Sequence, residues 1–76
     1  MTDQNTFAIA ELQQKANEGD AQAQFDLALC YANGNGLEKN IELALMWLKK
    51  AAEQDFAEAQ YKLAGYALYL VISIEL

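Results

Sequence analysis

The stretch Ala21-Gln22-Ala23-Gln24-Phe25-Asp26-Leu27-Ala28 returns 36 residues later as Ala57-Glu58-Ala59-Gln60-Tyr61-Lys62-Leu63-Ala64. Self-similarity at a period of about 20 to 50 residues is typical of solenoid proteins, which stack one supersecondary unit on the next. Such units present an extended surface and do not enclose a reaction chamber. The repetition therefore predicts a binding module.

Length and charge narrow the class further. The 76 residues form one short domain, residues 1–76, and carry a net charge of −6, with 54% hydrophobic residues and no proline. This composition favours a globular, helical chain over a disordered one. An acidic chain with five cations and no arginine lacks the clustered positive charge that nucleic acids and anionic membranes attract. We expect no nucleic-acid partner and no membrane partner.

Processing signals and cysteine usage suggest an intracellular protein. The first residues lack the cationic and apolar regions of a secretory signal, and no apolar run reaches the ~20 residues of a membrane span. The single cysteine, Cys30, cannot form an internal disulfide and is interpreted as a packed thiol. The expected location is the cytoplasm.

Apolar periodicity and turn residues predict an all-α chain of about four antiparallel helices, at residues 6–17, 21–32, 40–54 and 56–70 or longer. Gly19 suits a left-handed helix end, and the Asn33–Gly36 run is the strongest turn signal. Asp20, Asn40 and Asp55 are expected to cap the helices that come after them. Trp47 is expected in the core.

A set of fixed spacings resembles the Sel-one-like repeats, a subgroup of the tetratricopeptide-like helical repeats. The matching features are Gly19-Asp20-Ala21-x-Ala23-Gln24-x-x-Leu27, Tyr31-x-x-Gly34-x-Gly36, Ala44-x-x-Trp47-x-x-Lys50-Ala51-Ala52 and Ala57-x-Ala59-Gln60-x-x-Leu63. The resemblance spans nearly all of residues 16–64. It implies an α/α superhelix that scaffolds protein complexes without catalysis.

The second copy stops matching the first after Ala64. Tyr31, Gly34 and Gly36 correspond to Ala67, Leu70 and Ile72, so the helix-ending glycines are lost. Repeat arrays usually need about three units and polar caps. The chain is therefore expected either to meet another protein surface or to be a fragment of a longer repeat scaffold, with an altered reading frame after Ala64 as a further explanation.

Catalytic and cofactor chemistry is not expected. The chain has no histidine, and its carboxylate pairs stand at helix junctions, where capping explains them. The glycines of the Asn33–Gly36 run lack the Lys-Ser/Thr that completes a phosphate-binding loop. We predict no enzyme activity, no metal site and no cofactor.

Two surfaces are candidates for binding. The resemblance places one side of helices two and four along a concave groove that would hold a peptide or helix, with an apolar strip and a polar rim; the residues are Gln22, Phe25, Asp26, Leu29, Asn33, Glu58, Tyr61 and Lys62. The alternative is that helix one or the C-terminal segment covers this strip.

The other surface is the apolar C-terminal segment, which carries more large apolar side chains than a solvated terminal helix needs. It predicts self-association, with a homodimer as the expected state, through Tyr66, Tyr69, Leu70, Ile72 and Ile74. As a helix the segment would dock on a second copy or swap into it, and as a strand it would pair edge to edge.

Overall fold

The fold is a row of four α-helices joined by short turns. The computed structural model describes the backbone of residues 4–75 and the side chains of residues 8–69 and 71–73. The helices are α1 (Gln4–Asn17), α2 (Ala21–Asn33), α3 (Ile41–Ala52) and α4 (Ala57–Glu75). Each helix packs extensively against the next one along the chain. The expected all-α superhelical repeat is confirmed, and α4 continues as a helix to Glu75.

Two small apolar clusters hold the row together. One lies between α1 and α2 and contains Ala16, Ala23 and Leu27. The other joins α2, α3 and α4; its members are Phe25, Ala28, Leu48, Ala51, Ala52 and Ala59. Trp47 packs against both clusters, as expected of a core residue. Because most of these residues are alanines, the helix backbones can approach closely.

The predicted ends of α2 and the start of α3 are confirmed in atomic detail. The Asp20 carboxylate accepts from the Ala23 N–H at 2.8 Å, and the Asn40 amide oxygen accepts from the Leu43 N–H at 3.0 Å. Each bond satisfies one of the free N–H groups in a first helical turn. Gly34 ends α2 in the left-handed conformation, with φ 68°.

The prediction that Asp55 caps α4 is wrong. Because α4 begins at Ala57, the residue before it is Phe56, and Asp55 lies one place too early. Asp55 instead takes a left-handed conformation with φ 61°, and Gly19, its counterpart in the first copy, has φ 100°. The Gly19 N–H donates to Ala16 and the Asp55 N–H donates to Ala52, both at 3.1 Å. The 36-residue repeat of the sequence therefore also holds for the backbone conformation and hydrogen bonding of these two turns.

Gly36 allows the loop between α2 and α3 to lie against α1. Its φ is 81°, and a β-carbon added there would lie 2.9 Å from Cγ1 of Ile9. A distance that short is a steric clash, so the loop can press on α1 only because this residue has no side chain. The contact anchors α1 to the repeat that comes after it.

Candidate protein-interaction surface

A repeated side-chain bond sets the positions of α2 and α4. Gln24 Nε2 donates to the Ala16 carbonyl at 3.1 Å, and Gln60 Nε2 donates to the Ala52 carbonyl at 3.0 Å. Each glutamine ties its helix to a terminal carbonyl of the preceding one. The sequence shows that the two glutamines match, but sequence reasoning alone assigned them no role. Each glutamine lies eight residues after an alanine that is itself repeated, Ala16 or Ala52, and this shared spacing is the signal in the sequence that could have identified the bond.

Gln54 adds hydrogen bonds to residues that are distant in sequence, and one of its partners is Gln24. Its Nε2 atom donates to the Gln24 side-chain oxygen and to the Gly19 carbonyl, both at 2.9 Å. The turn between α3 and α4 is therefore bound to the turn between α1 and α2. This bond also satisfies the oxygen of Gln24, whose side chain is buried.

The expected exposed strip of Phe25, Leu29 and Tyr61 is wrong in its α2 part. Phe25 is only 5% exposed, because α3 covers it and the Phe56 ring lies beside it, with centroids 5.3 Å apart. Leu29 is half-buried against the same cluster. Tyr61 is 81% exposed, as a surface role requires.

The polar residues predicted to rim the groove do lie at the surface. Gln22, Asn33, Glu58 and Lys62 are exposed, and Asp26 is half-buried. Gln22 Nε2 donates to the Asp26 carboxylate at 3.0 Å, so these two side chains are already ordered. These residues carry both signs of charge, since Asp26 and Glu58 are acidic and Lys62 is basic.

The C-terminal half of α4 exposes the largest apolar side chains. Leu68, Tyr69, Val71 and Ile72 are all exposed. Tyr66 is half-buried and packs against the apolar cluster that joins α2, α3 and α4, so it contributes to the fold as well. Leu70 and Ile74, also expected in self-association, lie outside the described side chains.

Two shallow apolar depressions flank Gly65 and Tyr66. One, of about 470 Å³, lies between α3 and α4 and is lined by Ile41, Leu45 and Tyr69 besides. The other, of about 480 Å³, lies along α4 from Tyr61 to Leu68. Gly65 contributes to both, and a β-carbon built on it would meet open space. The helix surface therefore has a notch at this glycine, bordered by larger side chains.

Cys30 lines a smaller cavity of about 300 Å³ with Ile9 and Leu12 of α1 and Asp26 of α2. Burial raises the pKa of the Cys30 thiol, and the Asp26 carboxylate raises it further. A raised pKa keeps the thiol protonated, and the protonated form is a weak nucleophile. The arrangement favours the packed thiol over a reactive one.

Membrane-spanning and metal-binding features do not occur in the described part of the chain. Between Gln4 and Glu75, none of the helices combines the length and apolar character that crossing a bilayer requires. Among the side chains of residues 8–69 and 71–73, no group of cysteine and carboxylate side chains converges in a way that would hold a metal ion.

These features define the class: an α/α helical repeat with a half-repeat before one full unit and an open apolar helix after it. The profile of the Sel1 repeat matches residues 21–56 and again residues 57–70, and the chain belongs to this family. The first match covers α2, α3 and their turns, and the second ends inside α4. Sel1 repeats generally mediate protein–protein interaction. No curated protein and no solved structure matches the chain.

Proposed function

We propose that this chain is a non-enzymatic protein–protein interaction module that binds a peptide or helix along the exposed faces of α2 and α4. The observation that carries the proposal is the position of Tyr61. It is 81% exposed on a packed helix and borders the 480 Å³ depression. An exposed aromatic beside an apolar depression is typical of an interface anchor.

The polar rim supplies direction and specificity. Gln22, Asp26 and Asn33 lie along one side of α2, and Glu58 and Lys62 lie along the matching side of α4. Because the rim carries both signs of charge, it favours a partner segment of mixed charge over a strongly basic or acidic one. Phe25 supports this surface from beneath and does not touch the partner.

Binding can be tested by capture of partners from cells that express the chain, comparing wild type with Tyr61→Ala and Lys62→Glu. We expect both changes to weaken capture, since the first removes the anchor and the second reverses a rim charge. Lys49→Glu is the matched control, because Lys49 is an exposed lysine on α3 that borders a different depression, with Leu63 and Ala67 of α4. Capture that is unchanged in Tyr61→Ala and Lys62→Glu would disprove the proposed surface.

A further inference from the structure

Four residues of α4 have a coiled-coil spacing on the side of the helix away from its core-packing residues, and one of them, Gly65, also borders the depression between α3 and α4. Tyr61, Gly65, Leu68 and Ile72 are separated by four, three and four residues, the alternation that places side chains on one seam of a helix. We refer to them as the α4 seam. Ala59, Leu63 and Tyr66 mark the opposite side, since they pack against the core cluster.

The α4 seam is open along its whole length. Leu68 is 62% exposed and Ile72 is 49% exposed, and Gly65 has empty space above it. On α2 two of the equivalent positions behave differently, because Phe25 and Ala32 are buried. A set of large apolar side chains on one exposed stripe usually meets another surface.

The side chains of the seam are complementary to those of an identical seam that runs in the opposite direction. With the register centred between residues 66 and 67, Gly65 lies opposite Leu68 of the second copy, and Tyr61 lies opposite Ile72 of the second copy. The two-fold axis repeats both pairs, giving four layers. Each leucine then fills the notch left by a glycine, which is how knobs fit into holes. We propose that a second copy of this chain docks here, forming an antiparallel α4–α4 dimer with this register.

Two other binding partners fit the α4 seam less well than a second copy in the antiparallel orientation. A head-to-tail array would dock α1 of the next copy onto α4, as α3 docks onto α2. In that arrangement Glu11 and Lys15 would take the places of Trp47 and Ala51, which lie in the core. Glu11 and Lys15 are exposed and form an ion pair at 3.6 Å, and burying such a pair is unfavourable. The face of α1 that carries Glu11 and Lys15 is therefore polar.

A partner helix that packs as closely as α3 packs on α2 is also disfavoured. Ala32, at one of the buried positions of α2, is replaced by the much larger Leu68 in α4. The same leucine is accommodated in the antiparallel dimer, because there it meets Gly65. The α4 seam therefore favours a partner that leaves space opposite Leu68, and Gly65 of a second copy provides that space.

Sedimentation velocity over a range of concentrations tests the dimer and its register. Wild type is expected to dimerise, and Gly65→Leu is expected to weaken the dimer about tenfold or more, because it fills both symmetric notches. Leu68→Ala should weaken it as well. Combining Gly65→Leu with Leu68→Ala exchanges the large and small positions and should restore much of the affinity, since the layers remain complementary.

Ala67→Leu is the control, because it adds the same apolar side chain to an exposed position of α4 outside the seam and is expected to leave the dimer unchanged. Circular dichroism checks folding; leucine is a better helix former than glycine, so a weaker Gly65→Leu dimer is not the result of a lost helix. A monomeric wild type, a Gly65→Leu variant that dimerises as tightly as wild type, or a double variant without rescue would each overturn the proposal.

The dimer rests on the proposed function in the general sense that α4 is an interaction surface, and it names the helix that Tyr61 meets as α4 of a second copy. The two fail separately. A wild-type chain that is monomeric but captures partners in a manner sensitive to Lys62→Glu would overturn the dimer and retain the interaction module. A wild-type chain that dimerises but captures no other protein would support the α4 seam and would contradict the proposed binding surface at the polar rim.

Discussion

Phe25 and Tyr61 occupy the same position in the two copies of the repeat, yet the first is 5% exposed and the second is 81% exposed. The difference lies in the helix that comes next along the chain. α3 covers Phe25, and α4 has no described helix after it. The same sequence position is thus a core residue in one copy and a surface residue in the other.

The two rings should therefore differ in their contribution to stability. Phe25→Ala is expected to lower the free energy of unfolding by about 3–5 kcal/mol, because it leaves a cavity among tightly packed neighbours. Tyr61→Ala should change it by less than about 0.5 kcal/mol. Urea unfolding at concentrations where the chain is monomeric measures both. Equal effects would contradict the burial of Phe25.

The repeated glutamine bonds give a second pair of predictions. Gln24→Ala is expected to lower the free energy of unfolding by about 1–3 kcal/mol, because it strips a buried carbonyl and the Gln54 amide of their partner. Gln60→Ala removes the equivalent bond at an exposed position, where water can replace it, so a smaller loss is expected. Thermal unfolding followed by circular dichroism compares them. A larger loss for Gln60→Ala would show that the tie through Gln54 adds nothing.

Asp55 is a site where the chain can be stabilised. Its φ of 61° is unfavourable for a residue with a side chain, so Asp55→Gly should raise the free energy of unfolding by about 0.5–1 kcal/mol. The reciprocal change, Gly19→Asp, places a side chain at φ 100° and should lower it by a similar amount or more. Chemical denaturation tests both. Destabilisation by Asp55→Gly would mean that the carboxylate makes a contact of its own.

Two glycines should respond in opposite ways to alanine. Gly36→Ala is expected to destabilise the chain by about 1–3 kcal/mol, because the new β-carbon meets Ile9 and the φ of 81° is strained. Gly65→Ala lies in an exposed helix with open space and should stabilise by up to about 1 kcal/mol. Hydrogen exchange in α1 is a sharper readout for Gly36→Ala, since the lost contact anchors that helix. Unchanged exchange in α1 would contradict the anchoring role.

The thiol of Cys30 should react slowly at neutral pH. Because burial and then Asp26 raise its pKa, the pH at which alkylation by iodoacetamide reaches half its maximal rate should lie above the value for the chain unfolded in urea. Asp26→Asn should lower that midpoint without removing the difference. By linkage, the contribution of this thiol to stability is present below the unfolded pKa and is lost as the pH rises through the folded pKa. A folded midpoint at or below the unfolded one would contradict the assignment.

Much of the fold could be predicted from sequence, because the deciding signals are local. Asp20 and Asn40 cap helices through bonds that span three residues, and Gly34 ends α2 in the conformation that glycine favours. The wrong prediction for Asp55 has a related cause: capping depends on the exact first residue of a helix, and sequence patterns place it less precisely than that.

The candidate site was harder to predict, because exposure depends on neighbours that are distant in sequence. Phe25 and Tyr61 look alike in the repeat, and only the packing of α3 and Phe56 over one of them separates core from surface. Gln54 could not be assigned for the same reason, since its acceptors lie 30 and 35 residues away. The spacing of the α4 seam was present in the sequence, but its openness required the structure.

The nearest-neighbour packing of the four helices also has a kinetic consequence. Each extensive interface joins helices that are consecutive along the chain, so little loop entropy opposes its formation. Chains dominated by such local contacts fold in microseconds to milliseconds. The α2–α3 hairpin, with members in both apolar clusters, is the expected nucleus, and α1 and α4 should add to it from either side. Unfolding should accordingly begin at the outer helices, so damage to one end would leave the central hairpin intact.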